Sequence, residues 1–148
     1  MEIIGQGGEC YVWRTKDGIF KEYQTRSEAE GAYYWQWELS RWNLAPEVYT
    51  RVKRIRINGE LSGWGYYTEQ ALTFSDDEVE LYLDDLYDDD IDAEIDEVNK
   101  RVQDLFGHEY TDFHIQNYGY VERDGKIVLV IIDTTMRSFH DLTEMEVA

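Results

Sequence analysis

The sequence predicts an α+β protein: a five-stranded antiparallel sheet carrying one helix, then a smaller, mainly helical part with a hairpin set into it. Three observations predict this. Over residues 1–72, short runs rich in β-branched and aromatic residues are separated by glycine-containing turn signals. A single helical pattern, dense in Trp and Tyr, interrupts those runs between Ser27 and Trp42. Beyond residue 72 the apolar spacing changes to three and four, then returns to strand-like runs on either side of Asp124-Gly125.

The elements follow in order. Ile3-Ile4-Gly5-Gln6-Gly7-Gly8-Glu9-Cys10-Tyr11-Val12-Trp13 reads as strand, glycine turn, strand. Glycines there allow backbone N–H groups to approach a phosphate without an intervening Cβ, and an ordinary hairpin has the same appearance. Lys16-Asp17-Gly18 turns the chain into a third strand, Ile19-Phe20-Lys21-Glu22-Tyr23, whose alternation sends Phe20 and Lys21 to opposite faces. Ser27 with Glu30 has the spacing of a capping box for the helix that follows. Asn43-Leu44-Ala45-Pro46 ends that helix. Residues 48–57 read as a fourth strand carrying Arg51, Lys53, Arg54 and Arg56, a basic patch suited to an acidic partner or to this chain's own acidic segment. Asn58-Gly59 turns again, and residues 63–71 complete the sheet.

Residues 76–97 hold thirteen acids and no Lys or Arg. Val79, Leu83 and Leu86, then Ile91, Ile95, Val98, Val102 and Leu105, recur at helical spacing, which predicts two amphipathic helices separated by the run Asp88-Asp89-Asp90 and stopped at Gly107. Two sharper readings of the acids arise. Asp88, Asp90, Asp92, Glu94 and Asp96 alternate as in a calcium-binding EF-hand loop, but Ala93 stands at the turn glycine and Asn99 at the final glutamate. Alternatively, regularly spaced carboxylates imitate a nucleic-acid phosphate surface and occupy a basic groove on a protein partner.

The run from Asp112 to Asp133 carries the chemistry. The Asp124-Gly125 turn folds residues 118–122 against residues 127–132, so Asp112 and Asn117 before the first strand and Asp133 after the second return to one rim. A carboxylate and a carboxamide are hard oxygen ligands suited to magnesium, and a further carboxylate can orient a hydroxyl and accept its proton.

Asp112-Phe113-His114-Ile115-Gln116-Asn117 resembles the D-x-H-x-x-N catalytic loop of small-molecule kinases related to the aminoglycoside phosphotransferases. Ile131-Ile132-Asp133 resembles the strand that ends in the aspartate of the kinase D-F-G element, with Thr134-Thr135 in place of Phe-Gly. Gly5, Gly7 and Val12 resemble the kinase glycine loop, with Cys10 where its third glycine falls. The resemblance implies a kinase-like fold: an N-lobe over residues 1–72 and a reduced C-lobe over 73–148, with ATP and magnesium bound between them. It implies that Gly5, Gly7 and Val12 cover the nucleotide and that Lys21 reaches its α and β phosphates. A helix glutamate would hold Lys21; Glu28 and Glu30 are the candidates, and Glu30, one turn into the helix, is preferred although capping is its competing role. Glu69-Gln70-Ala71 would be the hinge that binds adenine. Asp112 would orient the acceptor hydroxyl, and Asn117 with Asp133 would hold the metal. Arg137, Phe139 and Leu142 are expected to close the smaller lobe, which lacks the length of a protein kinase's substrate platform.

Composition narrows the classes. A formal net charge of −18 opposes direct binding to nucleic acid or anionic membranes and favours a basic protein partner, bound through the acids of residues 76–97. No apolar run has the length of a membrane span, and the N-terminus lacks a secretory pattern, so a cytoplasmic protein is expected. The single cysteine, Cys10, excludes an internal disulfide and a multi-cysteine zinc site. The expected function is ATP- and magnesium-dependent phosphoryl transfer to a hydroxyl. The alternative is a catalytically inactive kinase-like binder whose acidic surface regulates a basic partner.

Overall fold

The computed structural model describes residues 2–6, 10–73, 88–111, 115–135 and 138–141. Among them the chain is α+β, with two α-helices and strand pairs that are all antiparallel. Strands β1 (Glu2–Gln6), β2 (Cys10–Thr15) and β3 (Gly18–Tyr23) form successive hairpins. Helix α1 (Arg26–Ser40) follows, then a minimal hairpin of β4 (Arg56–Ile57) and β5 (Glu60–Leu61), then β6 (Trp64–Thr68). The main sheet has the order β1-β2-β3-β6.

The alternation expected of β3 holds. Phe20 packs with Tyr67 and Ile57 on one face, while Tyr23 and Tyr66 pack with Ala29 and Ala32 of α1 on the other. The cap of α1 is Thr25, whose hydroxyl accepts the Glu28 N–H at 3.1 Å. This corrects Ser27: Thr25 and Glu28 have the same capping spacing two residues earlier, and Ser27 falls inside the first turn. Asn43, with φ 57°, lies just beyond the helix.

The sheet has four strands rather than five. Residues 48–57 run beside β6 but touch it by bridges only at Val48–Thr68 and Lys53–Gly65. Four residues, 49–52, therefore lie opposite two, 66–67, and the surplus bows outward. The Thr50 hydroxyl takes the Tyr67 N–H at 3.0 Å, replacing the ladder bond that the bow gives up.

Helix α2 (Asp88–Phe106) begins the second part, ending where Gly107 takes φ 65°. Strand β7 (His108–Tyr110), a 3-10 turn (Ile115–Asn117), the hairpin β8 (Tyr118–Arg123) and β9 (Lys126–Ile131), and β10 (Phe139–Asp141) complete it. Asp124 and Gly125, at φ 54° and 78°, make the expected turn. The first of the two expected acidic helices lies outside the described residues. Asp88-Asp89-Asp90 is the first turn of α2 rather than a break between helices. The same helix removes the EF-hand reading, since alternate positions wind around a helix instead of converging on one ion.

Both parts share α1. Its Ala29 and Ala32 face the sheet, whereas Trp35 and Leu39 join Val98 and Val102 of α2 and Tyr118, Tyr120, Leu129 and Ile131 of the β8–β9 hairpin in the largest core cluster. Phe139 is buried there as expected, stacked on Trp35 with ring centroids 4.3 Å apart; Arg137 and Leu142 lie outside the described residues. The segment after β6 is tied to the hairpin by reciprocal 2.8 Å backbone bonds between Leu72 and Tyr120. Among the described residues no helix is long and apolar enough to cross a membrane.

Two glycine substitutions separate close packing from backbone strain. A Cβ at Gly65 would strike the Lys21 carbonyl and lie 2.8 Å from the Phe20 ring. At Gly125 it would meet nothing within 4 Å and suffer only the φ of +78°. Gly65→Ala is expected to lose about 3 kcal/mol in denaturant unfolding and Gly125→Ala about 1 kcal/mol. Equal losses would contradict the packing.

Candidate functional site

Strand register brings the expected residues into line. Gly5 pairs with Val12, Val12 with Lys21 and Lys21 with Tyr66, one row across all four strands of the sheet. Residues directly opposite share a face, so Val12, Lys21 and Tyr66 all project toward the side that carries α1. Gly7 lies outside the described residues.

Lys21 is 8% exposed. Its ammonium donates to the Ile132 carbonyl at 2.9 Å and to Gln36 Oε1 at 3.3 Å, and lies 5.8 Å from the centroid of the Tyr66 ring. Burial works against the charge, yet Tyr66, Cys10 and Asp133 together raise its pKa above the ordinary lysine value. Near neutral pH the tyrosine and the thiol are uncharged, so Asp133 supplies the opposing charge. Burial also pushes the Cys10 thiol and the Tyr66 hydroxyl up, which keeps both protonated around the amine.

Gln36 organises the neighbourhood. Its Oε1 accepts from Lys21 and from the Tyr66 hydroxyl at 2.8 Å, while its Nε2 donates to the Pro46 carbonyl at 3.0 Å and to Thr68 Oγ1 at 2.5 Å. The expected pairing of Lys21 with Glu30 is not what the structure has. Glu30 is exposed and bridges Arg26 at 3.5 Å, because it sits about 100–160° around the helix from the buried residues Ala29, Ala32 and Gln36. Glu28 is the residue at the cap.

The hairpin end supplies the other half. The Ile132 N–H donates to the Asn117 carbonyl at 2.8 Å, so Asn117 and Asp133 sit together at the rim. Residues around Asp133 are tied in several directions. Tyr110 donates its hydroxyl to the Asp133 carbonyl at 3.0 Å, and Thr134 Oγ1 donates to the Ala32 carbonyl at 2.9 Å. Both the backbone and hydroxyl of Thr135 donate to Asp133 Oδ1, at 3.0 and 2.6 Å. The second carboxylate oxygen has no hydrogen-bond partner among the described residues. Among these residues no three His, Cys, Asp or Glu side chains gather to hold a metal. Two oxygen donors at one rim nonetheless suit magnesium, which is commonly held by one or two side chains with phosphate oxygens and water. Asp112 lies outside the described residues.

At the expected hinge, the Glu69 side chain is a clamp. It forms a fork with Arg123 at 2.6 and 2.8 Å and accepts the Glu47 N–H at 3.0 Å, while its own N–H goes to the Glu47 carbonyl at 2.8 Å. The Ala71 backbone makes no hydrogen bond among the described residues. Sequence reasoning missed Gln36, Tyr66 and Thr134. Gln36 carried a signal, as the one polar residue on the stripe of Ala29, Ala32 and Leu39.

No protein-family model and no curated protein matches this chain, so its own geometry carries the functional reading.

Gln36→Leu would remove the acceptor of the Tyr66 hydroxyl, the donor to the Pro46 carbonyl and a partner of Lys21. A loss of about 2–4 kcal/mol is expected in denaturant unfolding, and an unchanged midpoint would contradict the network. Glu69 gives a pH test. Burial raises its pKa, but the hydrogen bonds from Arg123 and the Glu47 N–H outweigh that and hold the carboxyl below its ordinary value. Its contribution is complete above the unfolded-state value, about 4.3, and is lost as pH falls through the lower folded-state one. Glu69→Gln should therefore lower stability by about 1–2 kcal/mol at neutral pH and flatten the decline in acid.

Proposed function

We propose that the chain is a kinase-like phosphotransferase that binds ATP with magnesium and moves the γ-phosphoryl group to a hydroxyl acceptor. The observation that carries this reading is the contact of Lys21 with Ile132. It joins the Gly5–Val12–Lys21 row to the rim holding Asn117 and Asp133, three regions far apart in sequence. Gln36 solvates the ammonium without neutralising it, so the cation keeps its attraction for phosphate oxygens. In this reading Lys21 binds the α and β phosphates, the glycine strand and Val12 cover them, and the Ala71 backbone receives the base. Asn117 and Asp133 would hold magnesium, which supplies neutralisation of the phosphate charge when bound. Asp112 orients the acceptor hydroxyl and takes up its proton. Positioning and charge complementarity provide most of the acceleration.

A second reading has its own support. Lys21 is buried, its expected glutamate faces away, and Thr135 occupies one oxygen of Asp133. A kinase-like binder without turnover, regulating a basic protein through its acidic segment, would tolerate all three.

Calorimetric titration with ATP, with and without magnesium, separates the readings when followed by transfer of labelled phosphate. The phosphotransferase requires magnesium-dependent binding that falls at least tenfold in Asp133→Ala and Asn117→Ala, and transfer that disappears in Asp112→Ala while binding remains. Absence of binding at millimolar ATP would sink it. Loss of basic-partner capture on neutralising Asp88, Asp90 and Asp92, with Asp133→Ala harmless, would install the binder instead.

A further inference from the structure

The outward bow of residues 49–52 has created a groove on the sheet face opposite α1. It holds about 710 Å³ and is lined by the bow, the Lys16-Asp17 turn, the Asn58-Gly59 turn and Tyr67. That volume is in the range of small-ligand sites. Its lining differs in character from the rest of this acidic chain. Lys16, Lys53 and Arg56 line it with only Asp17 as a carboxylate; none of the three cations has an ion-pair partner among the described residues, and Arg56 makes one long hydrogen bond, to the Gly59 carbonyl at 3.4 Å. Arg54, their neighbour, is engaged elsewhere, donating to the Ser62 carbonyl at 2.9 Å with its guanidinium 5.4 Å from the Trp64 ring.

The remaining lining is aromatic and hydrogen-bonding apart from Ile55. Tyr67 is buried with Lys53 Nζ 5.2 Å from its ring centroid, and Tyr49 is 61% exposed at the rim. Thr50 Oγ1 accepts the Tyr67 N–H, which leaves its own O–H to donate. A chain with a net charge of −18 has many carboxylates that could have neutralised these cations, and none among the described residues does so.

We infer that this groove is a binding site for a phosphate monoester carried on an aromatic body. Three cations against one carboxylate match a dianion. Arg56 has N–H groups left for phosphate oxygens beyond its one contact with the Gly59 carbonyl, and the exposed Tyr49 ring offers a flat surface to the attached ring. A single carboxylate would satisfy less of this charge while facing the same repulsion from the chain as a whole. The chemistry is shared by a nucleoside monophosphate and by a phosphotyrosyl side chain. The inference stands apart from the proposed phosphoryl-transfer site, since none of its residues contributes to Lys21, Asn117 or Asp133.

The test is titration of the full chain with phenyl phosphate, adenosine monophosphate and a short phosphotyrosyl peptide, with inorganic phosphate as reference. It is repeated in Lys21→Met, so that binding at the other site is recognised. At least one monoester should bind at least tenfold more tightly than inorganic phosphate, unaffected by Lys21→Met. That binding should weaken at least tenfold in Lys53→Gln and in Arg56→Gln, and severalfold in Tyr49→Ala. Lys126→Gln, an exposed lysine at the hairpin turn, should change nothing. Preference between the nucleotide and the peptide identifies the source of the phosphate. Monoesters that bind no better than inorganic phosphate, or binding indifferent to Lys53 and Arg56, would overturn the inference.

Discussion

Removing an ammonium from water costs several kcal/mol unless the protein replaces its hydration, and the rest of this structure is arranged around that replacement for Lys21. The Ile132 carbonyl comes from the end of the hairpin and Gln36 from the middle of α1, while the tyrosine ring comes from β6. Each of these elements must be in place for the amine to be solvated. The lysine consequently sits at the junction of the sheet, α1 and the hairpin and takes a partner from each. Thr134 on Ala32 and Tyr110 on Asp133 tie the same junction.

That junction also explains why Asp133 stands where it does. Its backbone is gripped before and after, and Thr135 fixes one carboxylate oxygen, leaving the direction of the other defined. Preorganisation of this kind suits a group that meets charge on a ligand, because little rearrangement remains when the ligand arrives. A neutral Gln36 in place of an acid has a related consequence. Lys21 is held without a second counter-charge from α1, so its attraction for an anion remains available.

Much of this was legible where local chemistry decides local structure. Asp124-Gly125 specified its turn and hence the meeting of Asn117 with Asp133, and Gly107 marked the end of α2. The alternation of Phe20 and Lys21 set which side of the sheet each would face. Helix phase was harder to read. Glu30 has the right chemistry to pair with a lysine but sits one residue off the buried stripe, whereas Gln36 sits on it. Its importance depends on Pro46, Thr68 and Tyr66, which no local pattern connects to it. The fifth strand failed for a comparable reason: β propensity was present over 48–57, but a surplus of residues between two bridges is a property of the pairing and is invisible in either segment alone. Glu69 illustrates the same limit, since its partner Arg123 lies across the hairpin.

In the proposed function Lys21 is a charged, protein-solvated amine placed to meet a nucleotide phosphate. This is tested most directly by the nitrogen resonance of the Lys21 side chain, assigned by comparison with Lys21→Met. The ammonium is expected to stay protonated beyond the ordinary lysine range, and its resonance to move when ADP and magnesium are added. A neutral amine at neutral pH, or an ammonium indifferent to saturating nucleotide, would contradict it.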